Sequence, residues 1–342
     1  MSGIAVAMGW RGLAAAALMF LMAGCSSAPP AAPFPQVTPA MRAEVYERRA
    51  KLRELAALSA RAYLTEAERK ACPRILLARP RTECFTVAVP GPVSDYHAVY
   101  LIQTNDKTRE QIIAIRGTTS LADALVDLQT GKTRDPWLGV PVHSGFQLLA
   151  RGIHDDIKKN RRLKPSHRVF VTGHSLGGAA ALLLGLYLHA DPAGAHQITG
   201  VYTYGQPKVL DRQGIAHWPA FARHVFRVVN CDDPIPILPI NEAFLRGVVR
   251  FSFFDETNPN DYQHMGRSLL LMDDGHFSLP EKAIELGRDL IERIRGTLSG
   301  LWRGYPIDHA IARYITRIDA LSREPPGMGR VIPPEGFPCA RS

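Results

Sequence analysis

The fold is decided by the stretch Val169-Phe170-Val171-Thr172-Gly173-His174-Ser175-Leu176-Gly177-Gly178. It begins with apolar, β-branched residues typical of a buried strand, and the small, apolar residues after it (179–188) favour a helix. The Gly-x-Ser-x-Gly between them predicts a tight strand-to-helix turn with Ser175 at its apex. Gly173 and Gly177 are needed because the two backbones approach too closely for a β carbon. Such a turn strains the serine and raises its hydroxyl above the sheet, so we predict a nucleophile; a plain glycine-rich loop is the alternative.

Apolar segments on both sides of this stretch predict a sheet interleaved with helices. Strand patterns are found at 85–89, 97–103, 111–115, 168–172, 200–204 and 225–229, and helical patterns at 41–64, 144–159 and 281–298. This alternation predicts the α/β class, with a mostly parallel central sheet and helices on both faces. A final antiparallel pair is expected from 248–253 and 268–272, closing on Asp273-Asp274-Gly275, and another helix begins near Ile307.

Length and composition fit one large α/β domain with appended segments, because 342 residues with 46% apolar side chains can bury a sizeable core. The net charge of +9 is spread along the chain; it favours anionic surfaces such as phospholipid headgroups, but a solvated basic surface is the simpler interpretation. The sequence contains no nucleic-acid-binding module and no Cys/His spacing typical of a metal site. We therefore expect neither nucleic acid nor a metal ion as a partner.

The N-terminal residues have the pattern of an export signal. Arg11 precedes an apolar run (12–23) that is too short for a convincing membrane span. The run ends at Met22-Ala23-Gly24-Cys25, which resembles the lipobox of bacterial lipoproteins, where the cysteine becomes the lipidated first residue. The resemblance implies a signal peptide at 1–24, a lipid anchor on Cys25 and, because Ser26 follows, the outer membrane. An ordinary secretory signal and an uncleaved anchor are the alternatives.

The anchor is expected to lead into a proline-rich tether (25–40), a catalytic domain (41–323) and a Pro/Gly-rich tail (324–342). Four cysteines follow Cys25, and an exported protein meets oxidising conditions, so disulfides are expected. We favour a bond between Cys72 and Cys84, which flank a proline-containing loop. The pairing of Cys231 and Cys339 stays open.

A serine nucleophile needs a base, an orienting carboxylate and donors for the oxyanion. In α/β-hydrolases the triad follows the chain order Ser, Asp, His, so the partners are sought after Ser175. The segment Arg227-Val228-Val229-Asn230 predicts a strand, and Asp232 and Asp233 follow it. An acid at the carboxyl end of a strand lies where open α/β sheets place their sites.

This part of the chain resembles the class 3 (fungal-type) lipase family, whose members carry Asn and then Asp-x-Val-Pro after the strand. Asp233 is the match, with Ile235 in place of valine; Asp232 is the fallback. Ile115-Arg116-Gly117-Thr118 is similar to the family's Arg-Gly-Thr/Ser loop, which implies that Thr118 and the backbone N–H of Leu176 hold the oxyanion. Further similar segments, interpreted as packing or turn elements, are 142–146, 204–209 and 262–266, so that the resemblance spans about 100–320.

Three histidines follow Asp233 and are candidates for the base. His309 stands in Tyr305-Pro306-Ile307-Asp308-His309, before an amphipathic helix. Many bacterial members of the family end with Asp-His and a tyrosine about five residues on, so the resemblance favours His309. His276, just past the Asp-Asp-Gly turn, is the second candidate and His264 the third.

The segment 121–141, with Asp127 and Trp137-Leu138, corresponds to a region that forms or borders a lid in the family. An exposed apolar tip there would engage a lipid surface, and a buried loop aromatic is the alternative.

Together these features predict an α/β-hydrolase that cleaves carboxylic esters of lipids, as a triacylglycerol lipase-like serine esterase. Ser175, Asp233 and His309 would act through an acyl-enzyme without a cofactor. A phospholipase A or an acyltransferase on the same triad is an alternative, and a non-catalytic envelope lipoprotein is another. Acyl-chain preference, headgroup preference and oligomeric state are left open by the sequence.

Overall fold

The computed structural model describes residues 37–71, 80–90, 96–118, 131–191, 196–231, 233, 235–238, 262–272, 275–279 and 307–322. Contacts divide the chain into two units, and all described residues belong to the larger one, 34–332 with 337–342. The predicted signal peptide, Cys25, the tail, the strand at 248–253 and the helix at 281–298 lie outside the described residues. Within the described part, none of the helices is long and apolar enough for a bilayer span.

The described strands and helices follow the predicted alternation closely. The strands are β1 (Arg81–Val89), β2 (Tyr96–Asn105), β3 (Glu110–Ile115), β4 (Lys132–Arg134), β5 (Pro141–His143), β6 (Arg168–His174), β7 (Gln197–Tyr204), β8 (Leu210–Asp211), β9 (Val225–Asn230), β10 (Tyr262–Gln263), β11 (Arg267–Leu271) and β12 (Phe277–Ser278). The helices are α1 (Pro39–Arg61), α2 (Glu66–Ala71), α3 (Ser144–Lys159), α4 (Leu176–Ala190), α5 (Arg212–His217), α6 (Pro219–Ala222) and α7 (Ile311–Asp319), with short 3₁₀ turns at Ile235–Ile237 and Ile307–His309.

The central sheet has the strand order β1-β2-β3-β6-β7-β9-β11-β12. The strands β3, β6, β7, β9 and β11 are parallel to one another, whereas the pairs β1–β2, β2–β3 and β11–β12 are antiparallel. This confirms the predicted α/β class with a mostly parallel sheet. A second, four-stranded sheet has the order β10-β8-β5-β4.

The partner predicted for the strand at 268–272 is wrong. β11 lies parallel to β9, and its antiparallel partner is β12. Apolar patterning at 248–253 and 268–272 identifies candidate strands, but it carries no information on which strands pair.

Helices cover both faces of the central sheet. On one face, α1 and α7 pack against each other and against Tyr202, Phe226 and Leu269. On the other face, α3 turns an apolar stripe inward, whereas α4 is buried on all sides from Leu176 to Leu188. The sheet therefore holds the carboxyl ends of β6 and β9 at one edge, between two helical layers.

In the described part of the predicted lid region, Trp137 is half-buried and Leu138 is buried, so this pair does not form an exposed apolar tip. Leu138 is 1% exposed, and the Trp137 ring packs edge-on against His154, with 4.9 Å between ring centroids. The Asp135 carboxylate accepts hydrogen bonds from the backbone nitrogens of Trp137 and Leu138, at 2.8 and 2.7 Å. The expected tip is thus wrong for this pair, because Asp135 fixes it inward; residues 121–130 lie outside the described residues.

Cys84 and Cys231 are each disulfide-bonded. They are not bonded to each other, because β1 and β9 are five strand spacings apart, or about 24 Å at ~4.8 Å per spacing. Disulfide-bonded α carbons lie within about 7 Å. Cys72, the partner expected for Cys84, lies outside the described residues.

Candidate active site

The nucleophile turn has the geometry that its glycines predict. A β carbon on Gly173 would lie 2.3 Å from the Gly177 carbonyl oxygen, and one on Gly177 would lie 2.3 Å from that of Ile115. Ser175 has φ +59, a strained conformation that the surrounding contacts must hold. Its N–H donates to the Tyr204 carbonyl at 2.9 Å. Ser175 is buried, at 2% exposure.

The structure brings His309 between Ser175 and Asp233. The Nε2 atom of His309 lies 2.9 Å from Ser175 Oγ, and Nδ1 lies 2.8 and 3.0 Å from the two Asp233 oxygens. Because a carboxylate only accepts, Nδ1 carries the proton and Nε2 is left as the acceptor toward the serine hydroxyl. This is the arrangement in which an imidazole can take the serine proton.

The Asp233 carboxylate is held by further donors. Tyr314 Oη donates to Oδ2 at 2.5 Å, and the backbone N–H of Ile235 donates to Oδ1 at 2.9 Å. Tyr314 Oη also accepts from the backbone N–H of Asn230 at 3.1 Å. Burial and the neighbouring Asp233 raise the pKa of Tyr314 well above its usual value, so it stays a donor. Sequence reasoning used this tyrosine only as a mark of the family, although its spacing from His309 was a usable signal.

The other candidate histidines lie elsewhere. His264 Nε2 lies 2.7 Å from the Pro236 carbonyl oxygen, and burial holds the pKa of His264 well below its usual value. His276 directly precedes β12, which is four strand spacings, or about 19 Å, from β6. Asp232, the fallback acid, lies outside the described residues.

The segments expected to bind the oxyanion meet at Ser175. A β carbon on Gly117 would lie 3.3 Å from Ser175 Cβ, so Thr118 follows a residue that contacts the nucleophile turn. Leu176 is the first residue of α4, and the first N–H groups of a helix have no partner within it. Helix N-termini favour negative charge. An anionic oxygen beside Ser175 would thus lie at the positive end of the α4 dipole.

Among the side chains that the structure describes, no cluster of three or more His, Cys, Asp or Glu residues could hold a metal ion.

Comparison with known proteins identifies relatives. Residues 112–243 match the model of the family Lipase (class 3). The chain is 31% identical over 150 residues to Secreted mono- and diacylglycerol lipase 1 of Fusarium solani, covering 40% of this chain and 42% of that protein. It is 27% identical over 209 residues to Phospholipase A1 PLIP2, chloroplastic, of Arabidopsis thaliana, covering 56% and 29%. The solved triacylglyceride lipase of Rhizomucor miehei matches with a TM-score of 0.53 at 24% identity, covering 68% of this chain and 83% of that one.

These matches differ in what they establish. The chain spans less than half of the length of these curated relatives. The structural neighbour, at 24% identity, shows the α/β-hydrolase fold alone. The matched segment contains the Thr118 loop, the nucleophile turn and Asp233. Residues 112–243 are thus similar to the class 3 lipase family, and the fold agrees with that similarity.

Proposed function

We propose that this chain hydrolyses carboxylic esters of lipids, as a triacylglycerol lipase-like esterase with Ser175, His309 and Asp233 as its catalytic triad. The observation that carries the proposal is the two-sided contact of His309, 2.9 Å from Ser175 Oγ and 2.8 Å from Asp233 Oδ2. A serine hydroxyl needs such a base to act as a nucleophile at neutral pH. The lipase names of the relatives support a lipid ester as the substrate.

Each residue has one role in this mechanism. Ser175 Oγ attacks the acyl carbonyl carbon as His309 Nε2 takes its proton, and Asp233 stabilises the resulting imidazolium. The oxyanion accepts from the Thr118 and Leu176 backbone N–H groups, each contributing about 3 kcal/mol to the transition state. The tetrahedral intermediate expels the alkoxide, which takes the proton from His309. Water, deprotonated by His309, then attacks the acyl-enzyme and releases the acid and Ser175. No cofactor is needed.

The experiment is hydrolysis of a p-nitrophenyl ester by the wild-type chain and by Ser175→Ala, together with labelling by a fluorophosphonate probe. We expect turnover and labelling in the wild type and neither in the variant, with equal thermal stability. Turnover by Ser175→Ala would show that Ser175 is not the nucleophile. A folded wild-type chain that neither reacts nor turns over supports the non-catalytic alternative.

A phospholipase A activity is the second candidate, because one relative is named a phospholipase A1. Fatty-acid release from trioleoylglycerol emulsions and from phosphatidylcholine vesicles separates the two substrates. We expect the triacylglycerol rate to be higher, and a higher phosphatidylcholine rate reverses the assignment. Acyl transfer to an added alcohol, exceeding hydrolysis, indicates an acyltransferase.

We further propose that the chain is exported and anchored to an outer membrane through lipidated Cys25. The lipobox-like sequence supports this, and the Fusarium relative is named as secreted. Two or three acyl chains would give stable anchoring, at roughly 0.8 kcal/mol per buried CH₂. Mass spectrometry of the N-terminal peptide should find an acylated Cys25, and Cys25→Ser should move the protein from the detergent phase to the aqueous phase. An unmodified N-terminal peptide contradicts the proposal.

A further inference from the structure

The backbone that carries His309 is held at two successive carbonyl oxygens by side chains from other elements. His174 Nε2 lies 2.6 Å from the carbonyl oxygen of His309, and Asn230 Nδ2 donates to that of Asp308 at 2.7 Å. Both side chains are buried, at 2% and 0% exposure. His174 is the variable residue before the serine in Gly-x-Ser-x-Gly, and Asn230 ends β9. His174 thus links His309 to β6, the strand that leads to Ser175, and Asn230 links it to β9, the strand that leads to Asp233.

The hydrogen bonds of His174 define its protonation. A carbonyl oxygen only accepts, so Nε2 carries the hydrogen and Nδ1 accepts from Tyr63 Oη at 2.8 Å. Burial and the neighbouring His309 hold the pKa of His174 well below its usual value, which keeps it neutral. A neutral imidazole with one donor and one acceptor matches both partners. Tyr63 follows α1, so the N-terminal helix takes part in fixing the base.

We propose that His174 and Asn230 are positioning residues that hold the His309 imidazole in line between Ser175 Oγ and Asp233. Neither residue is assigned a role by the triad itself, and the proposal rests on the proposed ester hydrolysis. His309 ends a single 3₁₀ turn before α7, a short element whose own hydrogen bonds have poorer geometry than those of an α-helix. Rotation there would change both contacts of the imidazole at once. A shift of about 1 Å in a reacting group costs roughly 10²-fold in rate.

Kinetics of His174→Phe and Asn230→Leu test the proposal, because both substitutions keep shape and remove the donor. We expect kcat for a p-nitrophenyl ester to fall about 10²-fold in each, with KM within about threefold. The double variant should be at most about threefold slower than the worse single variant, because both bonds hold one peptide segment. His174→Gln retains a donor and should recover about tenfold of the loss.

Gln111→Met is the matched control. It removes a hydrogen bond from a buried side chain to a backbone carbonyl, Gln111 Nε2 to Arg162 at 3.2 Å, and Gln111 lies opposite Val169, at the far end of β6 from Ser175. It should lower Tm comparably and leave kcat unchanged. Equal kcat losses in Gln111→Met and His174→Phe, losses that multiply in the double variant, or unchanged kcat in both single variants each overturn the proposal. Asn230→Leu alone decides the matter if His174→Phe does not fold.

A spectroscopic measurement separates this proposal from the proposed function. The His309 Nδ1–H proton bonded to Asp233 should give a downfield proton resonance in the Ser175→Ala background. It should vanish in His174→Phe and Asn230→Leu and persist in Gln111→Met; persistence in all variants overturns the proposal. If the folded chain shows no esterase turnover, the proposed hydrolysis is refuted. The resonance still reports whether His174 and Asn230 hold His309.

Discussion

Replacing Gly205 with alanine tests the geometry of the site with one methyl group. Gly205 follows β7 and has φ +59. An alanine β carbon would lie 2.6 Å from Asp233 Oδ2, 3.0 Å from Tyr314 Oη and 3.1 Å from His309 Cε1. The distance of 2.6 Å to Asp233 Oδ2 is shorter than a β carbon tolerates. The methyl group therefore displaces the carboxylate or the backbone of Gly205.

The loss of stability expected for Gly205→Ala has two parts, backbone strain and steric overlap. The left-handed conformation costs alanine about 1–2 kcal/mol. Forcing a methyl group into packed atoms costs about 1–3 kcal/mol more. We therefore expect Gly205→Ala to lower the free energy of unfolding by about 2–5 kcal/mol. Because Asp233 and His309 must shift, kcat should fall about 10²-fold.

Two other glycines provide matched controls. Gly139 has φ +72 and nothing within 4 Å of the added β carbon, so Gly139→Ala measures backbone strain alone. Gly131 has open space and no positive φ, so Gly131→Ala gives the baseline. Urea unfolding measures stability, and initial rates with a p-nitrophenyl ester measure kcat. Wild-type kcat in Gly205→Ala, or a stability loss no larger than in Gly139→Ala, would refute the placement of Asp233 and His309 around Gly205.

Three further predictions concern buried polar groups. Tyr314→Phe removes the donor to Asp233 and leaves the Asn230 N–H without its acceptor, so we expect about 2 kcal/mol lower stability and roughly tenfold lower kcat; unchanged ester kinetics would contradict this. Burial, with Arg227 and Lys208 nearby, lowers the pKa of His264, so its protonation opposes folding. Its stabilising effect is complete above about pH 6.5 and declines below it, and denaturant titrations should show a shallower acid decline in His264→Gln; an unaltered slope counts against the argument. Arg227 is 5% exposed, its Nε and Nη1 atoms find no partner among the described residues, and burial lowers its pKa to about 10. Calorimetry should therefore show Arg227→Met raising stability by about 2 kcal/mol, and a lower Tm would reveal a counter-ion for the guanidinium.

The fold was predictable where local pattern and tertiary environment agree. The β-branched run of β6 and the small residues of α4 specify a buried strand and a buried helix, and both form at the expected positions. The strand at 268–272 was also recognisable, but its neighbours β9 and β12 are set by chain crossings that no local pattern records. Trp137 was ambiguous for a similar reason. Its burial depends on Asp135, whose hydrogen bonds to Gln147 and Tyr187 cross separate elements.

The residues of the candidate site differ in how well the sequence alone predicts them. The motif around Ser175 is contiguous, so the sequence singles it out without help. The three histidines after Asp233 are chemically alike, and family resemblance alone favoured His309. The strand order places His276 too far from Ser175 to act as its base, and His264 is bonded to the Pro236 carbonyl instead. His174 left no signal of its role, because its partners Tyr63 and His309 are 111 and 135 residues away.

These distances also show how the site is divided between the layers of the domain. The central strands lead to Ser175 and Asp233, whereas His309, the base, and Tyr63, which bonds to His174, come from opposite ends of the described domain. The helices α1 and α7 pack together, with Arg49 Nε donating to the Ile318 carbonyl at 3.1 Å and Arg53 paired with Asp319. The segment matched by the family model, 112–243, contains neither Tyr63 nor His309. That segment alone would present a serine and an acid without a base, so the proposed chemistry requires the outer helices as much as the motif that identifies the family.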